Sequence, residues 1–255
     1  MSSIIPIMAA QRYSTDSLMT DGSVSLSLDE SRSLIARIPV DEPITKLLHP
    51  EVRYEVTDHC NATCIMCPRD KHEHGREHGI MDQQAYQRSI DEIVALGAQK
   101  IVLTGFGEPM LDKRLELKIS YAKSKGLSTY IISNGSVLNS KRAKTILEAG
   151  LDEIRVSFYG MRPETYNAVM QGLDFDRTMS GMLEFLRLRK EMKASTRVQI
   201  SYLELDENKS DTGIFREFWE PKVDAIEIWR PHNFGDGRDY RFREQAVEVK
   251  TTCGR

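Results

Sequence analysis

A strand-like run followed by a helix-like run recurs six times between residues 51 and 231, and this alternation constrains the fold more than any other feature of the chain. The strand-like runs fall at residues 51–57, 100–104, 128–132, 154–158, 197–205 and 225–229, all rich in β-branched and aromatic side chains. Between them, apolar residues recur at helical spacing. Tyr86, Ile90, Ile93 and Val94 follow Asp82 and precede Gly97; Leu115, Ile119 and Ala122 precede Gly126; Ala143, Ile146 and Leu147 lie between Asn139 and Gly150. Pro163 opens a helical pair whose second member turns Met179, Met182, Leu183 and Leu186 inward, and a short helix occupies Thr212–Trp219. Met179, Met182 and Met192 read as helix core rather than as a cofactor-binding stripe. Each unit takes roughly 30 residues, the usual size of a βαβ crossover. The prediction is an α/β fold: a parallel sheet of six strands covered by helices, whose strand ends converge if the sheet curls. Sheets of this kind present their functional loops at the carboxyl ends of the strands.

Directly after the first predicted strand come Cys60, Cys64 and Cys67, three thiols that one short loop can wrap around one metal centre. Thiolates are soft ligands suited to iron–sulfur clusters or zinc. Three ligands leave a coordination position open, and chemistry usually happens at an open position. The chain has four cysteines in 255 residues, with Cys253 far from the other three, which is not a disulfide framework and points to a reduced compartment. Taken alone, the three thiols also suit a zinc site completed by His59, His72, His74 or His78. The histidines of 72–78 otherwise read as a solvated polar loop over the thiols.

Composition narrows the class further. The chain is 40% hydrophobic and 29% charged, enough for one sizeable core and too apolar for disorder. Its formal net charge of −3 argues against a nucleic-acid surface. No apolar run is long enough to span a bilayer, and residues 3–8 lack the basic and apolar regions of a secretion signal, so a cytoplasmic location and no membrane partner are predicted. Residues 1–50 read as an N-terminal extension with a short strand at 23–28, a helix at 31–38 and prolines at 39, 43 and 50. Residues 51–231 read as the strand–helix unit and residues 232–255 as a linker.

Cys60-x3-Cys64-x2-Cys67 after the first strand, with Gly105-Phe106-Gly107-Glu108-Pro109 after the second, resembles the radical S-adenosylmethionine (SAM) enzymes over residues 51–231. The resemblance implies that the α/β unit is a partial (β/α)6 TIM-like barrel and that Cys60, Cys64 and Cys67 hold on it a [4Fe–4S] cluster whose fourth iron is chelated by SAM. Reductive cleavage of SAM then gives a 5′-deoxyadenosyl radical that takes hydrogen from a substrate, implied to be peptide or sugar-like. It also implies a reductant such as flavodoxin or ferredoxin. Gly105, Phe106, Gly107 and Glu108 match the family's motif at the methionine ammonium, with Phe106 in place of a small residue. Ser133 and Asn134 match its polar-Asn-Gly turn, Ser157 its polar residue after strand four, and Leu203 the place that packs the adenine. Met66 stands where an aromatic residue is common, and its thioether can cover a ring face. Gln171-Gly172, after Glu164-Thr165-Tyr166, stands where many relatives carry Arg-Gly, and an amide holds a carboxylate less strongly than a guanidinium fork. Asp58, His59, Arg230 and His232 lie near the ends of strands one and six as candidate substrate contacts. The segment 230–238 resembles the exit into the SPASM or Twitch extensions, which implies that the chain stops early and that Cys253 is the first ligand of an auxiliary iron–sulfur cluster. The alternative is a non-catalytic iron–sulfur or zinc protein that keeps the barrel as a scaffold.

Overall fold

The computed structural model describes residues 47, 49–67, 69 and 78–231, and the predicted strand at 23–28, helix at 31–38, the residues 70–77 and Cys253 lie outside them. Six strands form one sheet in sequence order: β1 (Glu51–Tyr54), β2 (Lys100–Leu103), β3 (Ser128–Ser133), β4 (Glu153–Ser157), β5 (Arg197–Leu203) and β6 (Ala225–Trp229). Every neighbouring pair is parallel. The crossovers carry α1 (Gln83–Ala95), α2 (Leu115–Ser124), α3 (Ser140–Glu148), the pair α4 (Pro163–Val169) and α5 (Phe175–Glu191), and α6 (Thr212–Trp219). Among the described residues β1 and β6 are joined to no third strand and not to each other, so the sheet is an incomplete barrel.

Local chemistry explains where the helices begin. The Asp82 carboxylate accepts from Gln84 N at 2.9 Å and Ala85 N at 3.0 Å, satisfying two of the amides that a helix start leaves orphaned. Asn139 does the same for Arg142 N and Asp174 for Arg177 N. Proline opens α4, where its missing N–H is not needed.

The strands alternate, and the alternation separates two environments. Ile101, Leu103, Ile131, Ile154, Val156, Val198, Ile200 and Tyr202 are buried in a single core with Leu115, Ile119, Ile146, Met182, Phe185, Phe215 and Trp219 from the helices. The intervening residues are mostly polar, Val102 and Ile132 excepted, and the register sets the polar ones side by side: Glu51 beside Lys100, Tyr130 beside Glu153 and Glu153 beside Arg197, Arg155 beside Gln199, Ser201 beside Glu227. Lys100 Nζ lies 3.5 Å from Glu153 and 4.6 Å from the Tyr130 ring centre, and Arg155 Nη1 lies 3.2 Å from Glu227 Oε2. The inner face of this barrel is thus lined with ion pairs and hydrogen-bonding groups, where a closed eight-stranded barrel packs branched apolar side chains.

Two details differ from the sequence pattern. Leu183 on α5 is 39% exposed, because it follows the fully buried Met182 by one position and so turns about 100° away from the core. The first strand ends at Tyr54, not at residue 57. From Val56 onward the chain pairs instead with the segment returning to α1: Val56 O accepts from Met81 N at 2.8 Å, and Thr57 bridges Ile80 in antiparallel fashion. Among the described residues no helix is long and apolar enough to cross a membrane.

Candidate metal and cofactor site

The cysteine loop leaves the carboxyl end of β1 and is pinned by main-chain bonds to the far side of the sheet. Thr63 N donates to Gln171 O at 2.8 Å and Ile65 N to Val169 O at 3.1 Å, so the end of α4 and the turn after it hold the loop through their carbonyls. Gly172 has φ +85°, and a Cβ there would crowd Asn61 O at 3.1 Å, so the residue after Gln171 must be one that tolerates a left-handed backbone in tight space. A turn closed by Cys67 N to Cys64 O at 3.0 Å brings the second and third cysteines together. Cys64 Sγ sits 3.7 Å from Met170 Sδ, and all three thiols are half-buried.

Burial pushes the Cys60 thiol up, and it pushes Cys64 up to about 12, with Cys67 and Cys60 adding to the effect as neighbours that repel a second negative charge. To carry their charge as thiolates, Cys60 and Cys64 need a cationic centre beside them. Among the described residues, no three His, Cys, Asp or Glu side chains converge on the position of a single metal ion.

The second motif is built against the same loop. A Cβ on Gly107 would overlap the Thr57 carbonyl, so that glycine is required by the close approach of the chain after β1, and a Cβ on Gly105 would displace the Glu55 side chain that packs there. Glu108 N donates to His59 O at 2.8 Å. The Glu108 carboxylate is 2% exposed and fully engaged: Oε1 accepts from Met110 N at 3.0 Å and Ser133 Oγ at 2.8 Å, Oε2 from Asn134 N at 2.6 Å. Burial pushes its pKa up, against the pull of those donors. Glu108 therefore ties the ends of β1, β2 and β3 together.

Asn134 faces the cysteine loop. Its Nδ2 donates to Asn61 Oδ1 at 3.1 Å and its Oδ1 accepts from Ser136 N at 3.0 Å and Ser136 Oγ at 2.7 Å, while Asn61 Nδ2 donates to Ser136 Oγ at 2.8 Å. Ser157, at the end of β4, lies 3.1 Å from the Tyr159 hydroxyl, whose pKa burial pushes up. Tyr159 packs edge-on to Tyr202, with ring centres 6.5 Å apart.

The structure thus gathers Cys60, Cys64, Cys67, Gly105, Gly107, Glu108, Ser133 and Asn134 into one connected set. Other residues singled out by sequence stand differently. Gln171 meets the loop through its carbonyl, and its side chain turns back to Ala168 O at 3.4 Å. Phe106 is 45% exposed. Met66 is half-buried against the core, and Leu203 is half-buried with its carbonyl accepting from Asn208 Nδ2 at 2.9 Å. Asp58 is buried and closes the loop on itself, accepting from Gly79 N at 2.8 Å and meeting His78 Nδ1 at 3.1 Å. His59 is exposed, with its ring 6.0 Å from that of His78; Arg230 is 3.6 Å from Glu204, and His232 lies outside the described residues. Sequence reasoning missed Asn61, Ser136, Met170, Tyr159 and Glu55. Asn61 alone carried a local signal, as an amide inside the cysteine motif.

The family model described as the Radical SAM superfamily matches residues 54–230. Among curated proteins, the GTP 3',8-cyclase of Limosilactobacillus fermentum is 28% identical over 137 residues, 53% of this chain and 41% of that protein. The Fe-coproporphyrin III synthase of Methanosarcina barkeri is 30% identical over 135 residues, 52% of this chain and 33% of that protein. The chain therefore spans less than half the length of these relatives. Among solved structures, SuiB of Streptococcus suis bound to S-adenosylmethionine is similar in fold, with a TM-score of 0.60 and 14% identity over 80% of this chain and 45% of that one.

Proposed function

This chain belongs to the radical SAM superfamily, and on that premise we propose that it holds a [4Fe–4S] cluster on Cys60, Cys64 and Cys67 and cleaves S-adenosylmethionine reductively to abstract hydrogen from a peptide or sugar-like substrate. The observation that carries the reading is the cysteine loop itself. Three half-buried thiols are fixed at the carboxyl edge of a partial parallel barrel by main-chain bonds to residues 169 and 171 and by the Asn61–Asn134–Ser136 cluster. The donor set is all thiolate, the ligand type that holds iron–sulfur clusters.

When bound, the cluster supplies the electron that cleaves the SAM sulfonium, leaving methionine and a 5′-deoxyadenosyl radical to take hydrogen from the substrate. The chain's own residues bind and orient. The Gly105–Gly107 backbone supplies carbonyl oxygens for the SAM ammonium, Ser157 a hydroxyl for its ribose or carboxylate, and Met66 and Leu203 apolar surface for its adenine. Ser133, Glu108 and Asn134 act one step back, holding the strand ends at fixed spacing. Gln171 offers the carboxylate no charge. The polar inner face, with Arg155, Glu227, Gln199 and Tyr130, supports a hydrogen-bonding substrate of the peptide or sugar kind. Flavodoxin or ferredoxin as reductant, a cytoplasmic location, and Cys253 as first ligand of an auxiliary cluster belong to the same reading and rest on the sequence resemblance.

Anaerobic reconstitution tests it. The full chain is expected to take up iron and sulfide, bind SAM and yield 5′-deoxyadenosine with a strong reductant, and Cys60→Ala, Cys64→Ala and Cys67→Ala are each expected to abolish the product. Zinc without sulfide, or a verified cluster blind to SAM, would sink the proposal and support the non-catalytic alternative.

A further inference from the structure

The hydrogen-bond ladder between β1 and β2 ends in an uncommon way. Thr104 N donates to Tyr54 O at 2.9 Å. Rungs of a parallel ladder repeat every two residues, so the next would run from Phe106 N to Val56 O. Val56 O instead accepts from Met81 N at 2.8 Å, and Phe106 N donates to the side chain of Glu55, Oε1, at 2.6 Å. The backbone contact between the two segments resumes at Glu108 N to His59 O, 2.8 Å. A carboxylate has taken the place of a backbone acceptor at one rung, inside the motif that sits beside the cysteine loop.

The substitution has a geometric consequence. Phe106 N–H and Gly105 C=O belong to one trans peptide plane and point in opposite directions. Holding Phe106 N on Glu55 therefore aims the Gly105 carbonyl away from β1. Among the described residues, neither the Gly105 nor the Gly107 carbonyl accepts a hydrogen bond. Gly105 also has no room for a Cβ because Glu55 occupies that space, so the loop and the carboxylate fit each other from both sides.

Resting on the functional reading above, we propose that Glu55 is a positioning residue for SAM: its carboxylate fixes the 105–106 peptide plane so that the Gly105 carbonyl is presented to the primary ammonium of a bound amino-acid moiety. The role belongs to the acceptor oxygen and not to the charge as such, since an amide oxygen at the same place accepts the same N–H.

The test uses the reconstituted full chain, with iron and sulfide content measured for each variant and SAM affinity read by calorimetry. Glu55→Ala is expected to keep its cluster and bind SAM about 10-fold more weakly, as loss of a charge-assisted hydrogen bond implies. Glu55→Gln is expected to stay within about 3-fold of wild type, because it keeps the acceptor. A SAM analogue lacking the amine is expected to bind wild type weakly and to lose nothing further in Glu55→Ala, since both changes remove the same interaction. An unchanged SAM affinity in a folded Glu55→Ala, a Glu55→Gln as weak as Glu55→Ala, or full additivity with the amine-free analogue would each overturn the inference alone. If Glu55→Ala does not fold, Glu55→Asp, whose acceptor is drawn back by one methylene, is read in its place, with weaker binding expected and wild-type binding overturning. A wild type that holds its cluster but binds no SAM would overturn the functional reading, and this inference with it.

Discussion

Glu108 places a carboxylate where almost no water reaches it, and three donors make that tolerable. Two of them are backbone amides, Met110 N and Asn134 N, which lose this partner once the side chain is cut away. Glu108→Ala is expected to destabilise the fold by on the order of 3 kcal/mol, seen as a lower urea midpoint, because buried donors are left unsatisfied. The same substitution frees the end of β3 from the end of β2 and so loosens Asn134, which faces the cysteine loop through Asn61. At this scale the family motif carries two jobs. Its glutamate and glycines fit the protein to itself, and its backbone is what remains for a ligand.

Among the elements, β4 and β6 begin alike. Each is preceded by an aspartate whose carboxylate reaches the neighbouring strand: Asp152 accepts from Thr129 N at 2.7 Å and pairs with Lys123 at 2.6 Å, and Asp224 accepts from Val198 N at 2.7 Å and pairs with Arg189 at 2.8 Å. Burial pushes both carboxyls up, but the hydrogen bonds from Lys123 and Thr129, and from Val198 N and Arg189, outweigh it and hold them below the ordinary aspartate value of 3.8. A folded value below the unfolded one means stability that is present above about pH 4 and lost as pH falls through the folded value. Asp152→Asn and Asp224→Asn are each expected to lower stability by about 1 kcal/mol at neutral pH, and the gap to wild type is expected to close in denaturation curves taken below about pH 4.

Taken as a whole, the molecule keeps its apolar material between sheet and helices and leaves the inner face charged. Arg155 and Glu227 are 25% and 32% exposed, so their pairing adds little to stability. If folding alone shaped the inner face, this pair would be replaceable. Arg155→Met with Glu227→Leu is expected to leave the thermal midpoint unchanged or raised, and to leave substrate-free 5′-deoxyadenosine formation intact while abolishing abstraction from the substrate. A marked fall in the midpoint would instead make the pair structural.

What the sequence by itself determined is what local chemistry writes: six strands and their order, the helix starts at Asp82, Asn139 and Pro163, and three cysteines in the loop after the first strand. Periodicity and capping act within a few residues, so they are legible in a linear string. The end of β1, the outward turn of Leu183 and the occupants of the site were decided by partners far along the chain. Phe106 N meets a carboxylate 51 residues away, Asn134 meets Asn61 across 73, and Cys64 meets Met170 across 106. No periodic signal spans such distances. Which side of Gly105 the chain after β1 would occupy, and therefore which carbonyl is left facing outward, is settled only when the sheet brings the two segments together.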